Sequence, residues 1–338
     1  MRVCLVPRIP GSAGPANFQH RLATGLTARG VEVVQDFDAG RGDVCLIVGG
    51  TRNLAALRRA RRRGARLVQR LNGMNWIHRR LPTGVRHYLR AEVNNLLLRL
   101  IRNRLAAAVV YQSKFAQSWW ERVCGPSGAP AQVVYNGVPL DLYHPAGPEG
   151  PPDDRWRLLV VEGKLAGGYE HGLQAAFGLA ERLRARLDRP VELAVAGYAA
   201  PGLRRDWDVR SAVPARWLGQ VQPEEIPAWD RAAHVLYAAD VHPACPNAVI
   251  EALACGLPVA SFDTGALPEL ILGDSGRLAA YGADPWRLEP PDLDTLAALT
   301  LELLADQPRF RRGARARAEA GLGVGAMVDG YWTALFPP

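Results

Sequence analysis

Short apolar runs alternate along the chain with stretches of helical period. The runs at 2–6, 31–34, 44–48, 107–111 and 132–135 are mostly apolar, and 66–71 carries Leu67, Val68 and Leu71 among polar residues, the pattern of parallel strands covered on both faces. Between them, 16–29, 51–63, 87–105 and 114–123 predict helices. In the first, Phe18, Leu22 and Leu26 form one stripe and Gly30 ends it. Strand, glycine-bearing loop, helix and strand in that order begin an open parallel sheet. Residues 144–155, rich in Pro, Gly and Asp, read as a linker. The pattern then restarts with a strand at 158–162, a loop at 163–168, a helix to about 187 and a strand at 191–196. Further strands are predicted at 216–218, 234–238, 259–262 and 276–279, and helices at 293–305, 309–320 and 327–335, with Pro308 at the first helical position of the middle one. The expected fold class is α/β: two Rossmann-like doubly wound domains facing each other across a cleft, over 1–145 and 156–325. A C-terminal helix within 326–338 is expected to pack back on the first domain.

Composition adds constraints. A chain of 338 residues exceeds most single cores, which agrees with two domains. It is 48% hydrophobic and 22% charged, an ordinary globular balance. No apolar run approaches the ~18 residues of a membrane helix, and the first apolar run is too short for a signal-peptide core. Cys4, Cys45, Cys124, Cys245 and Cys255 include no CxxC pair; a zinc site or disulfide framework is not expected, and a reducing cytoplasm is. The formal net charge is +8, with arginines concentrated at Arg58, Arg59, Arg61, Arg62, Arg63, Arg66 and Arg70 and at Arg99, Arg102 and Arg104. Such runs suit nucleic acid, an anionic membrane or a phosphorylated substrate. They lack the interleaved aromatics of single-strand binders, so nucleic acid is not an expected partner. A solvated helix face is the simpler account, and peripheral contact with an anionic inner-membrane surface the partner this charge allows.

The candidate chemistry centres on 243–263. Asn247 reads as an N-cap, 248–254 as a helix, Gly256 as its left-handed end with Pro258 beyond, and 259–262 as a buried strand. A helix start holds phosphate, and Glu251, one turn after Asn247, is placed to accept two ribose hydroxyls. The simpler alternative is a capping Asn247 and a solvated Glu251. Lys164, following Gly163 after the first strand of the second domain, suits a diphosphate; the chain holds only one other lysine, Lys114. Gly11 and Gly14 permit a ligand near the first helix start, or merely a tight turn. Asn72 follows a strand, at the carboxyl edge where ligands of such sheets bind, and Asn72-Gly73 is equally a turn pair.

Several stretches together resemble a glycosyltransferase of the GT-B architecture, close to the retaining family 4 (glycosyl transferases group 1). They are GPANFQHRLATGLTARGVEV, VVYQSKFAQSWW, VVYNGVPLDLYHP, LLVVEGKLAGGYEHGLQAA, WLGQVQPEEIPAWDRAAHVLYAADVHP and, most specifically, CPNAVIEALACGLPVASFDTGALPELI. RLNGMNW is similar to a subgroup's RLDG motif, with Asn72 in place of its acidic residue. The resemblance implies transfer of a hexose-type sugar, with retention, from a nucleotide-diphosphate donor to a glycan, lipid or other hydroxyl acceptor, without a metal or other cofactor. Glu251 would bind the ribose, the backbone at Asn247, Ala248 and Val249 the diphosphate, and Lys164 beside Gly163 the leaving phosphate. Gly219 and Val221 would lie near the base. The acceptor, a glycan or lipid-linked, would enter around Gly11, Gly14 and Asn72. Three positions depart from the pattern. Pro243 stands where the family has its first glutamate, Glu170 near where a second basic residue is expected, and no histidine falls near Asn72. Asp240 or His242 is a substitute for the missing carboxylate. The pairs Asp36/Asp38, Asp206/Asp208 and Asp292/Asp294 mimic the Asp-x-Asp of metal-dependent transferases and are read as chance. A non-catalytic sugar-nucleotide- or partner-binding relative, and a sugar-nucleotide epimerase, are the alternatives.

Overall fold

The computed structural model describes the chain except residues 12, 13, 167, 169 and 338. It forms two compact units, residues 1–137 with 323–338, and residues 138–322.

The first unit is built on β1 (Arg2–Val6), β2 (Glu32–Val34), β3 (Val44–Val48), β4 (Arg66–Leu71), β5 (Ala108–Tyr111) and β6 (Ala131–Val133), with α1 (Gly14–Thr27), α2 (Leu54–Arg62), α3 (Val85–Arg104) and α4 (Lys114–Cys124) between them. The strands are parallel, in the order β2-β1-β3-β4-β5-β6. Their two-residue period feeds two cores. Val3 and Leu5 of β1 and Val44, Leu46 and Val48 of β3 pack with Phe18, Leu22 and Leu26 of α1. Cys4, Val6, Cys45 and Ile47 point the other way, toward Leu57 of α2 and Ile101 of α3. That alternation is why the strands read as unbroken apolar runs. The C-terminal helix, Val324–Leu335, completes the first core: Tyr331 packs against Phe18 with centroids 5.2 Å apart, and Gln132 Nε2 donates to the Gly330 carbonyl at 2.7 Å. Gly330 is obligatory there, because a Cβ would lie 2.8 Å from Val134 Cγ1.

The Pro/Gly-rich segment 144–155 lies inside the second unit, and the chain passes between units at 137/138 and 322/323. Composition marks a lack of regular structure, not a lack of contacts. Val138 N–H donates to Leu322 O (3.0 Å), the Tyr143 hydroxyl to Pro223 O (3.1 Å), and Arg231 pairs with Glu149 at 2.6 Å.

In the second unit the order is β7 (Trp156–Leu165), α5 (Glu170–Arg184), β8 (Val191–Ala199), α6 (Pro201–Arg210), β9 (Ala215–Gly219), α7 (Ile226–Arg231), β10 (Val235–Tyr237), α8 (Asn247–Ala254), β11 (Val259–Phe262), α9 (Leu267–Leu270), β12 (Gly276–Ala279), α10 (Leu293–Ala305) and α11 (Gln307–Glu319); the C-terminal helix above is α12. The sheet runs β12-β11-β10-β7-β8-β9, again all parallel. Three differences from the sequence reading matter. β7 continues past Glu162 through an irregularity between Val161 and Lys164, after which Lys164 pairs with Tyr198, so Gly163 and Lys164 are strand residues rather than loop. The helices α6, α7 and α9 were not predicted; α6 buries no side chain and α7 and α9 are six and four residues long, too short to show a stripe. Asp306 caps α11, so Pro308 is its second residue, not its first.

Tyr331 is 1% exposed. Tyr331→Ala is expected to destabilise the protein by about 3–5 kcal/mol, read as a lowered urea midpoint; an unchanged midpoint would show that α12 contributes nothing to the first core.

Candidate functional site

The richest chemistry lies at the carboxyl edge of the second sheet. β10 leads into 238–246 and then α8. Pro246, at φ −73° and ψ 121°, occupies the N-cap position, and no side chain caps the turn. Asn247 is therefore the first helical residue, a correction to its reading as the cap: the fixed φ of the preceding proline ends the extended segment one residue early. The first turn holds no acidic side chain. Its backbone donors thus keep the partial positive charge of a helix start. Asn247 and Ala248 are partly exposed, while the Val249 side chain is buried. Glu251 is 5% exposed, which overturns the alternative of a solvated carboxylate.

Beneath α8, Asp230 on α7 is fully buried. Burial holds its carboxyl well above the usual range; the Glu251 charge adds to this, while the Cys255 thiol and Arg231 oppose it. Burial also pushes up the Cys255 thiol, with Asp230 contributing.

β7 neighbours β10, so Lys164 and the α8 approach leave adjacent strands. Lys164 is exposed, its Nζ 5.8 Å from the Tyr198 ring centroid. Gly163 has open space where a Cβ would stand and an ordinary φ, so nothing steric demands glycine. Gly219 ends β9 at φ +70°, a conformation that favours glycine, and Val221 follows it at the same edge, two strands from β7.

Sequence reasoning missed Glu162, a carboxyl inside the strand run LLVVEG. Burial pushes it up to about 8, helped by the negative charge of Asp240. Asp240 is itself raised to about 6 by burial, against the stabilising N–H groups of His242 and Val241; the His242 N–H donates to Asp240 Oδ1 at 3.3 Å. His242 stacks on Trp286, centroids 3.8 Å apart, and burial lowers its pKa to about 4. A small cavity opens at Asp240, lined also by His171, Thr264 and Tyr281. The signal for Glu162 was present in the sequence: an ionisable residue in an otherwise apolar strand needs a reason.

Pro243 is buried, and its ring faces Gly265, whose absent Cβ would lie 2.5 Å from Pro243 Cδ. The Glu170 carboxylate accepts the Gly168 N–H at 2.6 Å, so it organises its own loop. Each of the three Asp-x-Asp pairs has at least one structurally engaged member. Asp36 and Asp38 meet Arg2 and Arg63, Asp208 accepts from Trp217 Nε1 at 2.9 Å, and Asp292 caps α10 while Asp294 pairs with Arg182.

Gly11, Gly14 and Asn72 belong to the first unit. Gly11 has φ +89°, and Gly14 is the first residue of α1; residues 12 and 13 of that loop lie outside the described residues. The exposed Asn72 follows β4, its carbonyl accepting from Trp120 Nε1 at 2.7 Å. β3 separates the two strand ends, but Arg70 of β4 spans them: its guanidinium lies 3.7 Å from the Phe18 ring centroid and donates to Asn136 Oδ1 at 2.9 Å.

Residues 157–306 match the family model for glycosyl transferases group 1. Over 119 residues the chain is 30% identical to the O-antigen chain mannosyltransferase B of Escherichia coli, covering 35% of this chain and 26% of that protein, so the match spans about a quarter of the relative. Among solved structures, the sucrose-phosphate synthase of Thermosynechococcus elongatus matches with a TM-score of 0.75 at 15% identity, covering 98% of this chain and 96% of that one. WaaG, a glycosyltransferase involved in lipopolysaccharide biosynthesis, matches at 0.69 and 15% over the whole of both chains. Anabaena HepE in complex with UDP and glucose matches at 0.66 and 16%, covering 100% and 99%. The fold is that of the GT-B glycosyltransferases.

The raised Glu162 generates a pH test. Between its ordinary value of 4.5 and about 8 the folded protein keeps a proton that the unfolded chain has released, so stability falls as pH rises through that window. Glu162→Gln removes this penalty. Its unfolding free energy from urea titration is expected to exceed the wild type's at pH 8, by on the order of 2 kcal/mol, and to converge with it near pH 5. Parallel curves across the window would contradict the burial of this carboxyl.

Proposed function

We propose that this protein transfers a hexose-type sugar from a nucleoside-diphosphate donor, held by the second unit, to a hydroxyl of a glycan or lipid-linked acceptor, with retention and without a metal. The observation that carries the reading is the α8 start: a helix N-terminus without a side-chain cap, one turn ahead of a buried carboxylate, beside the strand end that bears Lys164. A diphosphate needs the first and a ribose the second. In this reading the Asn247–Val249 backbone binds the diphosphate, Glu251 accepts from the ribose hydroxyls, and the base lies toward Gly219 and Val221. The anomeric carbon–oxygen bond breaks, the acceptor hydroxyl attacks from the same face and passes its proton to the leaving phosphate oxygen, and Lys164 stabilises the charge that develops on that phosphate. A uridine-diphosphate sugar is the first donor to try, since HepE was solved with UDP and with UDP-glucose. The acceptor enters past Gly11, Gly14 and Asn72.

The Pro243 side chain cannot accept a hydrogen bond from a sugar hydroxyl, and Asp240 is the nearby carboxyl that takes this role. The same proline supports a second reading, a sugar-nucleotide binder without turnover. A thermal-shift panel of UDP- and GDP-sugars separates binding from none, since a ligand at 100 times its Kd stabilises by about 2.7 kcal/mol. Glu251→Gln is expected to weaken nucleotide binding about ten- to hundredfold, in keeping with a lost charged hydrogen bond. Lys164→Ala is expected to retain nucleotide binding while kcat falls about 10²–10³-fold. No shift with any nucleotide sugar sinks both readings; binding without transfer to any acceptor leaves the second.

A further inference from the structure

Among the described residues, eleven large apolar side chains are exposed, and five of them stand on α3. Val85, Leu89, Val93 and Leu96 follow at spacings of four, four and three, one continuous stripe about 16 Å long, with Tyr88 on its flank. Val85 is 76% exposed, Leu89 60% and Leu96 61%. The opposite face, with Ala91, Leu98 and Ile101, is buried in the first unit. A helix that only covers a core is polar outside; α3 is apolar on both sides.

The charge around the stripe has one sign. Arg86, Arg90 and Arg99 are exposed on the same helix and Arg80 just before it; among the described residues none of the four pairs with a carboxylate, and Arg90 lies 3.4 Å from His87 Nδ1. The carboxylate on this face, Glu92, is taken up by Arg79 at 2.6 and 2.8 Å and by His78 at 2.9 Å. At the far end, Arg61 donates to the Arg104 carbonyl at 2.7 Å, which brings the arginines of α2 alongside Leu105.

We infer that this face of α3 docks on an anionic lipid bilayer, with the aliphatic row in the headgroup–acyl boundary and the arginines on lipid phosphates. An apolar row edged by cations that are not neutralised by carboxylates is the pattern of a helix lying in the membrane plane. A protein-binding face would centre on aromatics inside a rim of mixed charge; here the row is aliphatic and the rim basic. The Asn95 carboxamide accepts from the Asn75 N–H at 3.0 Å and donates to the Asn75 carbonyl at 2.9 Å. Docking α3 therefore holds the loop after Asn72 close to the bilayer. The inference stands apart from the nucleotide-sugar reading.

Co-sedimentation of the full chain with phosphatidylcholine vesicles, with and without phosphatidylglycerol, tests it. Partitioning is expected to be at least about tenfold stronger on the anionic vesicles and to weaken with added salt. Leu89→Gln with Leu96→Gln should cut it by about tenfold or more at an unchanged Tm, and Arg86→Gln with Arg90→Gln should erase the preference for anionic lipid. Equal partitioning of wild type and the double leucine variant, or no anionic preference, overturns the inference. So does a wild-type dimer that the leucine variant dissolves, which would assign the face to a second copy of the chain.

Discussion

Three glycines hold the carboxyl edge of the second sheet in place by what they lack. A Cβ on Gly172 would lie 2.1 Å from the Ala239 carbonyl, one on Gly197 2.1 Å from the Glu162 carbonyl, and one on Gly265 2.5 Å from Pro243. Each close approach locks a segment that carries chemistry. Gly172 seats α5 on the exit of β10. Gly197 lets β8 follow β7 beyond its irregularity and so carries Lys164 outward on a strand. Gly265 presses the 264–266 turn against the loop that delivers α8, and the Ala266 N–H fastens it to the Pro243 carbonyl at 2.8 Å. Backbone-to-backbone contact of this kind positions a helix start more rigidly than side-chain packing does, since it leaves no rotamer free to adjust.

The strands were legible because both faces of each sheet are covered, so that 44–48 is apolar throughout and 259–262 and 276–279 are broken by one polar residue each; the observed bounds of these three and of 66–71 coincide with the predicted ones. Other features were hidden for specific reasons. The sequence at Gly163 and Lys164 reads as loop, yet pairing with Tyr198 keeps both in β7; ladder pairing is not visible in one strand alone. Asn247 suits both the cap and the first turn, and only the backbone at Pro246 decides. Glu251 sits on a helix whose last six residues, Val249 to Ala254, are all buried. Such a helix has no polar face, so no periodicity distinguishes a buried carboxylate from a solvated one.

The electrostatics of the candidate site follow from this burial. Glu162, Asp240, Asp230 and Glu251 gather acid function below and beside α8, while Lys164 is exposed. Raised carboxyl pKa values mean that the folded protein carries less negative charge here than the sequence suggests. Glu162 at about 8 is a hydrogen-bond donor at neutral pH rather than a second anion. That matters for an anionic ligand: a carboxyl that stays protonated, as at Glu162 and Asp230, does not repel a diphosphate as an ionised one would. It also recasts Pro243. A further carboxylate at that position would add like charge beside Asp240, and the proline, packed on Gly265, adds none.

The two units solve one geometric problem twice. In a parallel sheet every strand delivers its chain to the same edge, so helix starts and loop residues gather there irrespective of order in the sequence. In the first unit Gly11, Gly14 and Asn72 leave β1 and β4 at that edge, and the cation of Arg70 is buried between them over Phe18. In the second unit Lys164, Gly219 and Asn247 come from segments as much as 83 residues apart and leave β7, β9 and β10 at one edge. Their residue types could be recognised in the sequence, but their convergence is a property of the strand order β10-β7-β8-β9. Moving β10 away from β7 would separate the helix start from the lysine without changing one residue of either.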